Sequence, residues 1–559
     1  MSKKIIRDNV HGDIEFYPEE MRLLHTAGFE RLHGCRQLGL THLIYPGAKH
    51  SRFEHVLGVM HVATQIANRM REQGYFFTGA NQDELIHILR FSALLHDMGH
   101  VPFGHTLEDE MPIIKKHDHA TDGAGDQPTR MVTAVSEVLT ESDNARYIEP
   151  VLQVLRAIAE SKDDERVYES VKKGDVRPEY LVLADIIGNT ICADLLDYIK
   201  RDHSMTGIKA TYDSRIFRYF GVNEHNGYQR VVIQLVKNGR IRNDALADLL
   251  DILKLRYNLS DKVLFHPKKC AADAMLIRAI SSSGLSEQDL MRFSDDGLLD
   301  TLRDLPLISM IRKWSLFKAV FVCGKSQINT FDDRLKKDDL IAELHRNEKL
   351  RQKIESRVKQ EAGLPAKGDS VLLFCPSPKM TLKSVRALVI WKDGTVRRLN
   401  EIGKEDDPLV NEQVGLLQDI YPQLWRLYLF CEPSLRSHGK RLQDAFSRAL
   451  ETEARLSATC DPALRHYLEK GCKDYGLGML LDREVDASSE VRGLSASERN
   501  RVRLLSHAQI PADPYSDEFA DQSIEVLASS RNDPRLQRRL RKIVRTALGK
   551  RKLAKRRSR

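Results

Sequence analysis

Three stretches of this 559-residue chain place ionisable side chains inside segments that are otherwise apolar. They are HSRFEH (residues 50–55), LLHDMGH (94–100) and NTICADLLDYIKRD (189–202). Only 20 residues of the chain are histidine, yet each of the first two stretches carries a pair. Imidazole nitrogens combined with carboxylate oxygens suit Zn, Mn, Fe or Ni, and also Mg where carboxylates and waters dominate. The residue types therefore indicate a divalent-metal site.

The elements that must hold such a metal are helices. The periodicity of residues 83–100 predicts a helix that continues through His100. On that helix His96 and Asp97 point about 100° apart, so one ion contacts both only from a position between helices. A lone histidine on an apolar helix, such as His55, is more often a core residue than a ligand. Burying several ionisable groups without a partner or a metal is costly, however, so the cluster favours a metal with positions open for water and substrate.

The fold class follows from two kinds of pattern. Apolar residues at three- and four-residue steps predict helices over most of the first 210 residues and again after residue 243. Two patches of β-branched residues, 228–240 and 370–399, predict strands, with turns at Asn238–Gly239 and at KDGT. These patterns predict a predominantly α (α+β) protein: a helical bundle in residues 1–330, a smaller mixed lobe with short β-strands in 331–480, and a helical, partly disordered basic tail in 481–559.

Charge is distributed unevenly along the chain. Residues 531–559 contain 14 Lys or Arg and one acidic residue, so this tail carries +13 and the rest of the chain −5, for a total of +8. Such a tail can bind nucleic acid or another polyanion. It can equally be a solvated end that only promotes solubility, and the sequence leaves both possibilities open.

Other sequence features narrow the class of protein. No apolar run approaches 18 residues, so we expect no membrane span. The N-terminus lacks the pattern of a secretory signal. The eight cysteines are scattered, without a CxxC pair. That spacing argues against a disulfide framework or a thiolate zinc site and predicts a reducing, cytoplasmic location.

The ordered series HSRFEH, LLHDMGHVPFGH and ADLLDYIKRD resembles the HD superfamily of metal phosphohydrolases. It is most similar to the branch that includes the deoxynucleoside triphosphate triphosphohydrolases. The resemblance begins at DNVHGDIEF and reaches KVLFHPKKCAADAML, near residue 277, about half of the chain. It implies an HD domain within residues 1–330, one divalent ion per site (Mg, Mn, Fe, Ni, Co or Zn), a nucleotide substrate and a homo-oligomer.

The resemblance also implies roles for individual residues. It assigns the metal to His55, His96, Asp97 and Asp194. It assigns substrate contacts to Gln37 and Arg52 (nucleotide and phosphates), His100 (the α-phosphate), Tyr198 and Asp202 (the sugar and its 3′-hydroxyl) and Arg256 (phosphate). Without the resemblance, Asp197 and Tyr198 are typical of an ordinary helix surface, and Arg256 is typical of a solvated helix residue.

In the family branch, metal-activated water attacks the α-phosphorus and releases a nucleoside and intact triphosphate. Arg and His donors neutralise the charge that develops in the transition state. A further histidine protonates the leaving oxygen as general acid. The candidates for this acid are His119 first and His117 second, with His105 as a helper.

Several positions depart from the family pattern. Leu195 stands where the family often has a Lys that contacts triphosphate, and Leu264 stands where an aromatic residue lies near the sugar. Ala120 replaces the acidic residue that usually follows the acid histidine, although Asp118 precedes it. The positions that match a guanine-nucleotide activator site also differ, so activation of that kind is not expected; they are His25, Glu30 and His33.

Three functions remain compatible with the sequence. The leading one is hydrolysis of deoxynucleoside triphosphates. The second keeps the metal site and the Arg residues but acts on another nucleotide, a cyclic dinucleotide or a nucleic-acid end, and Leu195 and Leu264 favour it. The third is a non-catalytic protein that binds nucleotide or nucleic acid, and the complete ligand set with Arg52 and Asp202 argues against it.

Overall fold

The computed structural model describes residues 3–76, 81–111, 114–115, 129–161, 163–330, 334–366, 368–378, 386–461 and 464. The chain divides into two compact units. The first unit comprises residues 1–316 together with 376–425, and the second comprises 317–375 together with the residues from 426 onward. Because residues 465–559 lie outside the described residues, the three-part division at 330 and 480 stays a prediction.

Helices dominate the described residues. In chain order they are α1 (Pro18–Leu24), α2 (Ala27–His33), α3 (Arg52–Glu72), α4 (Gln82–Leu95), α5 (His105–Glu110), α6 (Arg130–Glu141), α7 (Ile148–Glu160), α8 (Asp164–Lys173), α9 (Tyr180–Gly188), α10 (Ala193–Thr206), α11 (Asn243–Leu259), α12 (Pro267–Ser283), α13 (Glu287–Leu290), α14 (Asp295–Thr301), α15 (Pro306–Arg312), α16 (Lys337–Arg346), α17 (Glu348–Glu361), α18 (Pro408–Ile420) and α19 (Gly439–Ala449).

The strands are short. They are β1 (Lys4–Asp8), β2 (Gly12–Phe16), β3 (Phe220–His225), β4 (Tyr228–Ile233), β5 (Val236–Lys237), β6 (Arg240–Ile241), β7 (Lys318–Gly324), β8 (Ile328–Thr330), β9 (Val371–Phe374), β10 (Leu388–Ile390), β11 (Val396–Arg398), β12 (Arg426–Cys431) and β13 (Leu456–Ala458). The predicted fold class is therefore confirmed: a helical bundle accompanied by small sheets.

Helix α3 is the central element of the first unit and packs against α4 and α10. It begins with a capping box, in which the Ser51 hydroxyl accepts the Glu54 N–H and the Glu54 carboxylate accepts the Ser51 N–H. This arrangement satisfies N–H groups that the first turn of a helix leaves without partners. Most α3 side chains from Val56 to Met70 are buried in the main hydrophobic core.

Helices α3 and α10 approach each other closely at Gly58. A Cβ at this position would lie 1.9 Å from Asp197 Oδ1 and 2.4 Å from Arg201 Nη2. Both of these atoms belong to a buried ion pair on α10, so they cannot move aside freely. The absence of a side chain at residue 58 thus permits the contact between the two helices.

Helix α4 ends earlier than the sequence predicts. It stops at Leu95 and His96 is its C-cap, so the expected helix through His100 is wrong over its last turn. The following DMGHVPFG segment contains Pro102, which has no N–H to donate. It also contains Phe103 and Gly104 at φ of +59° and +40°. His100 therefore follows His96 on a turn and not on the same helical face.

Residues 376–425 return to the first unit and complete its larger sheet. That sheet has the strand order β11-β10-β4-β3, in which β10 runs parallel to β4 and the other pairs are antiparallel. The predicted turns at Asn238–Gly239 and KDGT are confirmed, since they join β5 to β6 and β10 to β11. A further hairpin, β3–β4, turns at Asn226–Gly227 with positive φ at both residues.

The second unit has its own antiparallel sheet, with the strand order β7-β12-β9. Helix α17 packs against β9, and α19 packs against α17 and β7. Strand β9 and strand β10 both lie within the predicted β patch 370–399, but they belong to different sheets. Within the residues that the structure describes, no helix has the length and apolar character needed to cross a membrane.

We predict that Gly58→Ala lowers the midpoint of thermal unfolding and reduces the free energy of unfolding by about 1–3 kcal/mol. The added methyl group would force α3 away from the buried ion pair on α10. The matched control is Gly415→Ala in α18, where a Cβ meets no described atom within 4 Å. That variant should keep or slightly raise the midpoint, since Ala favours helix over Gly by up to about 1 kcal/mol. Equal midpoints for the two variants would contradict the prediction.

Candidate metal centre and phosphate site

Four side chains assigned to the metal converge in the first unit. One ligand atom each from His55, His96 and Asp97 lies within 4.8 Å of the other two. Asp194 Oδ1 lies 3.1 Å from His55 Nε2 and 4.0 Å from His96 Nε2. The four residues come from three places: the first turn of α3, the end of α4 and the start of α10. About a third of the Asp194 side chain is exposed (37%), so this side of the cluster is open to solvent.

Hydrogen bonds orient both imidazoles. His55 Nδ1 lies 2.8 Å from Asp197 Oδ2, and His96 Nδ1 lies 2.8 Å from the carbonyl oxygen of Ala93. Both partners are acceptors, so each ring donates its Nδ1 proton to them and turns Nε2 toward the cluster. His96 Nε2 is buried and makes no hydrogen bond to any described residue. A divalent ion fits this donor set, because it would give this buried nitrogen of His96 a partner.

The electrostatics of Asp97 favour its ionised form. Burial opposes ionisation of this carboxyl group. Three neighbouring cationic or polarisable groups outweigh burial and hold the pKa of Asp97 well below its usual range; they are His96, His100 and Arg52. Asp97 is therefore available as an anionic ligand across the whole physiological range.

His55 binds a proton tightly when no metal is considered. Burial lowers the pKa of its imidazole, but Asp194 and Asp197 outweigh burial and raise the pKa to about 10. For Asp194, burial opposes ionisation, but the hydrogen bond and charge of His55 lower the carboxyl pKa. Because an imidazole nitrogen binds a metal only when it is unprotonated, metal binding here would displace that proton.

Asp197 supports the site from behind His55. Its side chain is fully buried, its two oxygens accept Nε and Nη2 of Arg201 at 2.9 Å, and Oδ1 also lies 2.7 Å from His11 Nε2. Arg201 in turn donates to Asp8 on β1. The interpretation of Asp197 as ordinary helix surface is therefore wrong. The i,i+4 spacing of Asp197 and Arg201 is the signal in the sequence that could have indicated this pair.

Arg52 lies against the metal cluster and is almost completely buried. Its Nη1 donates to Asp97 Oδ2 at 2.6 Å. The turn at Phe103–Gly104 makes room for it, because a Cβ at Gly104 would lie 2.1 Å from Arg52 Nη2. Asp295 holds this turn by accepting the Phe103 N–H at 2.8 Å. Burial raises the pKa of Asp295 to about 6.

His100 lies between two carboxylates. Its Nε2 is 3.3 Å from Asp97 Oδ1, and its Nδ1 is 3.1 Å from Glu108 Oε1. Arg130 Nη2 also donates to Glu108 Oε1, at 2.8 Å. Glu108 thus fixes the ring of His100 with Nε2 toward the metal cluster, a role that the sequence did not reveal.

The three candidates for proton transfer are placed differently. The His105 side chain is exposed, its ring centroid is 5.0 Å from that of His100, and it pairs with Asp109 on the next helical turn. His117 and His119 lie outside the described residues. Their role in protonating a leaving group stays a prediction.

The residues assigned to the nucleoside form a second group beside the metal cluster. Asp202 is buried, with Oδ1 2.8 Å from His50 Nε2. Gln37 donates its backbone N–H to the His50 carbonyl, and its buried Oε1 makes no hydrogen bond to a described residue. Tyr198 packs against a small apolar cluster that includes Leu38. Buried polar atoms and apolar side chains thus occur together around His50 and Leu38.

The departures from the family pattern can also be located. Leu195 is buried in the main core, at 2% exposure, and Leu264 packs against the same small apolar cluster as Tyr198. Neither position offers a charge or an aromatic ring to a substrate. His25, Glu30 and His33 are exposed, and His33 stacks on Phe53 with ring centroids 3.6 Å apart.

Comparisons with known proteins bear on this site. Residues 52–202, which include all four assigned ligands, match the HD domain family. An uncharacterized protein of Methanocaldococcus jannaschii is 28% identical over 475 residues, which are 83% of this chain and 88% of that protein. The human deoxynucleoside triphosphate triphosphohydrolase SAMHD1 is 28% identical over 293 residues, 49% of this chain and 44% of the human protein.

A solved structure agrees with these matches at the level of fold. A phosphohydrolase from Bacteroides thetaiotaomicron superimposes with a TM-score of 0.53 at 19% identity, covering 77% of this chain and 99% of that one. The HD match, these relatives and the convergent ligands together support a metal-dependent HD-superfamily phosphohydrolase. Within the superfamily it resembles the deoxynucleoside triphosphate triphosphohydrolases, although it spans less than half the length of the human member.

We predict that Asp197→Asn weakens binding of a divalent metal about 10- to 100-fold, because the neutral amide no longer holds the Nδ1 proton of His55 as firmly. Calorimetric titration of the protein with Mn²⁺ measures the change. The control is Asp185→Asn, which weakens a comparable buried ion pair to Arg230 without contacting the site. Both variants should lose stability, and a similar loss of metal affinity in both would refute a specific role for Asp197.

Proposed function

We propose that this protein hydrolyses deoxynucleoside triphosphates to deoxynucleoside and intact triphosphate, by attack of water on the α-phosphorus. The observation that supports this proposal best is the convergence of His55, His96, Asp97 and Asp194, with Arg52 donating to Asp97. In the triphosphohydrolase branch that the chain resembles, these positions hold the metal and contact the phosphates.

A divalent ion held by these four side chains would supply a Lewis acid and a water of lowered pKa. The protein's own side chains would bind and orient the phosphates. Arg52 neutralises charge on a phosphate that lies next to Asp97. His100, fixed by Glu108, directs Nε2 to the same place and contacts the α-phosphate. The open side of the cluster at Asp194 admits substrate and water.

The nucleoside and the leaving group are assigned to other residues. Tyr198 and Asp202 would bind the sugar, and Gln37 would use its unbonded Oε1 to accept a hydrogen bond from the nucleotide. His119, or else His117, would protonate the leaving oxygen, and His105 would assist as a helper. A homo-oligomer, and nucleic-acid binding by residues 531–559, remain predictions that the described residues do not test.

A second candidate function is favoured by one observation. Leu195 is buried in the core, so the position at which the family often places a triphosphate-contacting Lys offers no charge here. The same metal site and Arg52 would then act on another phosphoester, such as a cyclic dinucleotide or a nucleic-acid end.

The proposal predicts the products of an incubation with each deoxynucleoside triphosphate in the presence of Mg²⁺, Mn²⁺, Ni²⁺ or Co²⁺. We expect chromatography to resolve nucleoside and triphosphate in equal amounts. A chelator or Asp97→Ala should abolish the reaction, because either removes the metal. Asp83→Ala, an exposed position on α4, should leave it unchanged.

Other products would contradict the proposal in distinct ways. Release of nucleoside monophosphate and pyrophosphate would show that the protein acts on deoxynucleoside triphosphates. It would exclude triphosphate as the leaving group. Absence of turnover in protein that has bound metal would favour the second candidate function, which the same incubation with cyclic dinucleotides and nucleic-acid ends would then test.

A further inference from the structure

Arg130 is the first residue of α6 and lies outside the three sequence motifs that contain the metal ligands. Its side chain is only 9% exposed, and each nitrogen of its guanidinium group donates to a different acceptor. Nε donates to the carbonyl oxygen of Gly99 at 2.5 Å, Nη2 donates to Glu108 Oε1 at 2.8 Å, and Nη1 donates to Glu287. Two of these three acceptors contact or adjoin His100.

Glu108 Oε1 is the atom on which the contacts converge. Besides accepting from Arg130, it lies 3.1 Å from His100 Nδ1 and accepts the Val101 N–H at 3.2 Å. A carboxylate oxygen only accepts, so His100 Nδ1 is the donor. Glu108 thus bonds to the ring of His100 and to the backbone that follows it. Arg130 bonds to Glu108 and to the carbonyl of Gly99, which precedes His100.

A second arginine shows what is particular to Arg130. Arg31 on α2 donates to the carbonyl oxygens of Met98 and His100, both at 2.9 Å. The two arginines together bond three consecutive carbonyl groups in the turn that follows α4. Of the two, it is Arg130 that also donates to the carboxylate orienting the His100 ring. Arg31 therefore holds the backbone of the turn, and Arg130 connects the backbone to the ring.

Glu287 holds the remaining nitrogen of Arg130. It is the first residue of α13, and its Oε1 accepts Arg130 Nη1 while its Oε2 accepts the backbone N–H of Lys115 at 3.3 Å. The guanidinium group thus pairs with two carboxylates, which compensate its loss of water. Because the fork of an arginine is planar and rigid, bonds at all three nitrogens fix its orientation.

We propose that Arg130 is a positioning residue, which holds Glu108 so that His100 directs Nε2 at the α-phosphate. The inference rests on the proposed function and adds to it a residue that none of the three motifs contains. A glutamate side chain has several rotamers, and the charge-assisted bond to Arg130 favours the one that bonds the His100 ring. The ring is then ordered before the substrate binds, so the reaction does not have to supply the cost of ordering it.

The test is Arg130→Ala, assayed with a deoxynucleoside triphosphate and Mn²⁺. We expect kcat to fall about 10- to 100-fold, because His100 is no longer held in the geometry that the reaction needs. KM should change much less than kcat, since the interaction is proposed to matter mainly in the transition state. Titration calorimetry with Mn²⁺ should show a dissociation constant within about threefold of wild type, because the three acceptors of Arg130 are not the assigned metal ligands.

The matched control is Arg398→Ala. The side chain of Arg398 is also 9% exposed, pairs with Asp164 and donates to the Arg386 carbonyl at 2.9 Å, without contacting an assigned site residue. Both variants should lower the midpoint of thermal unfolding, but Arg398→Ala should keep kcat within about twofold of wild type. Equal falls of kcat in the two variants would overturn the positioning role. If Arg130→Ala does not fold, Arg130→Lys replaces it, because Lys keeps the charge without the planar fork and should lower kcat in the same direction.

A double-mutant cycle tests the route through Glu108. Glu108→Gln alone should lower kcat, because the amide bonds Arg130 and His100 less strongly than the carboxylate does. Adding Arg130→Ala to that variant should lower kcat by less than about twofold further, since the group through which Arg130 acts is already changed. A second fall as large as that of Arg130→Ala alone would overturn the proposal.

The remaining outcomes distinguish this proposal from the proposed function. If the wild-type protein hydrolyses a deoxynucleoside triphosphate and Arg130→Ala matches its kcat within about twofold, the role of Arg130 is overturned and the function stands. If the wild-type protein hydrolyses none of these nucleotides although it binds Mn²⁺, the proposed function fails and the role of Arg130 fails with it.

Discussion

The structure of the site depends on one buried carboxylate, that of Asp197. Its hydrogen bond to His55 joins α10 to α3, and its ion pair with Arg201 connects to Asp8 on β1. It also lies within hydrogen-bond distance of His11. A buried charge is tolerated only when its partners compensate the loss of water. Here each partner also has a positional role, so the same contacts that neutralise Asp197 set the orientation of a metal-ligand histidine. Gly58 is required because any side chain there would separate the two helices that Asp197 connects.

Folding and metal binding are coupled by this arrangement. The four assigned ligands come from α3, the end of α4 and the start of α10, so the site does not exist in the unfolded chain. His55 carries a proton that a metal would have to displace, and His96 has a buried nitrogen without a hydrogen bond among the described residues. The free energy of metal binding is therefore also free energy of folding for the helices that supply the ligands.

The limits of sequence prediction here follow from distance along the chain. The helical character of α3 and the turn at Asn238–Gly239 depend on local patterns, and both predictions are confirmed. The ordered motif led to His55, His96 and Asp97, which the fold brings together, while their role as ligands stays a prediction. Apolar periodicity does not reveal the end of α4 at Leu95, because it continues past the helix, although Pro102 and Gly104 follow. The β3–β4 hairpin turns at Asn226–Gly227, a pair that is as typical of a hairpin turn as Asn238–Gly239. The role of Glu108 could not be predicted, because it depends on tertiary contacts with His100 and Arg130.

Substrate choice in this site must be carried by few charges. Two positions that differ from the family pattern, Leu195 and Leu264, are apolar and pack against neighbouring apolar side chains. Among the residues assigned to phosphate, Arg52 donates to Asp97, and Arg256 lies in the last turn of α11. Under the proposed function, a polyphosphate chain would be bound by these two guanidinium groups and by the metal. Selectivity for triphosphate over other phosphoesters would then depend on these charges, because Leu195 and Leu264 offer none.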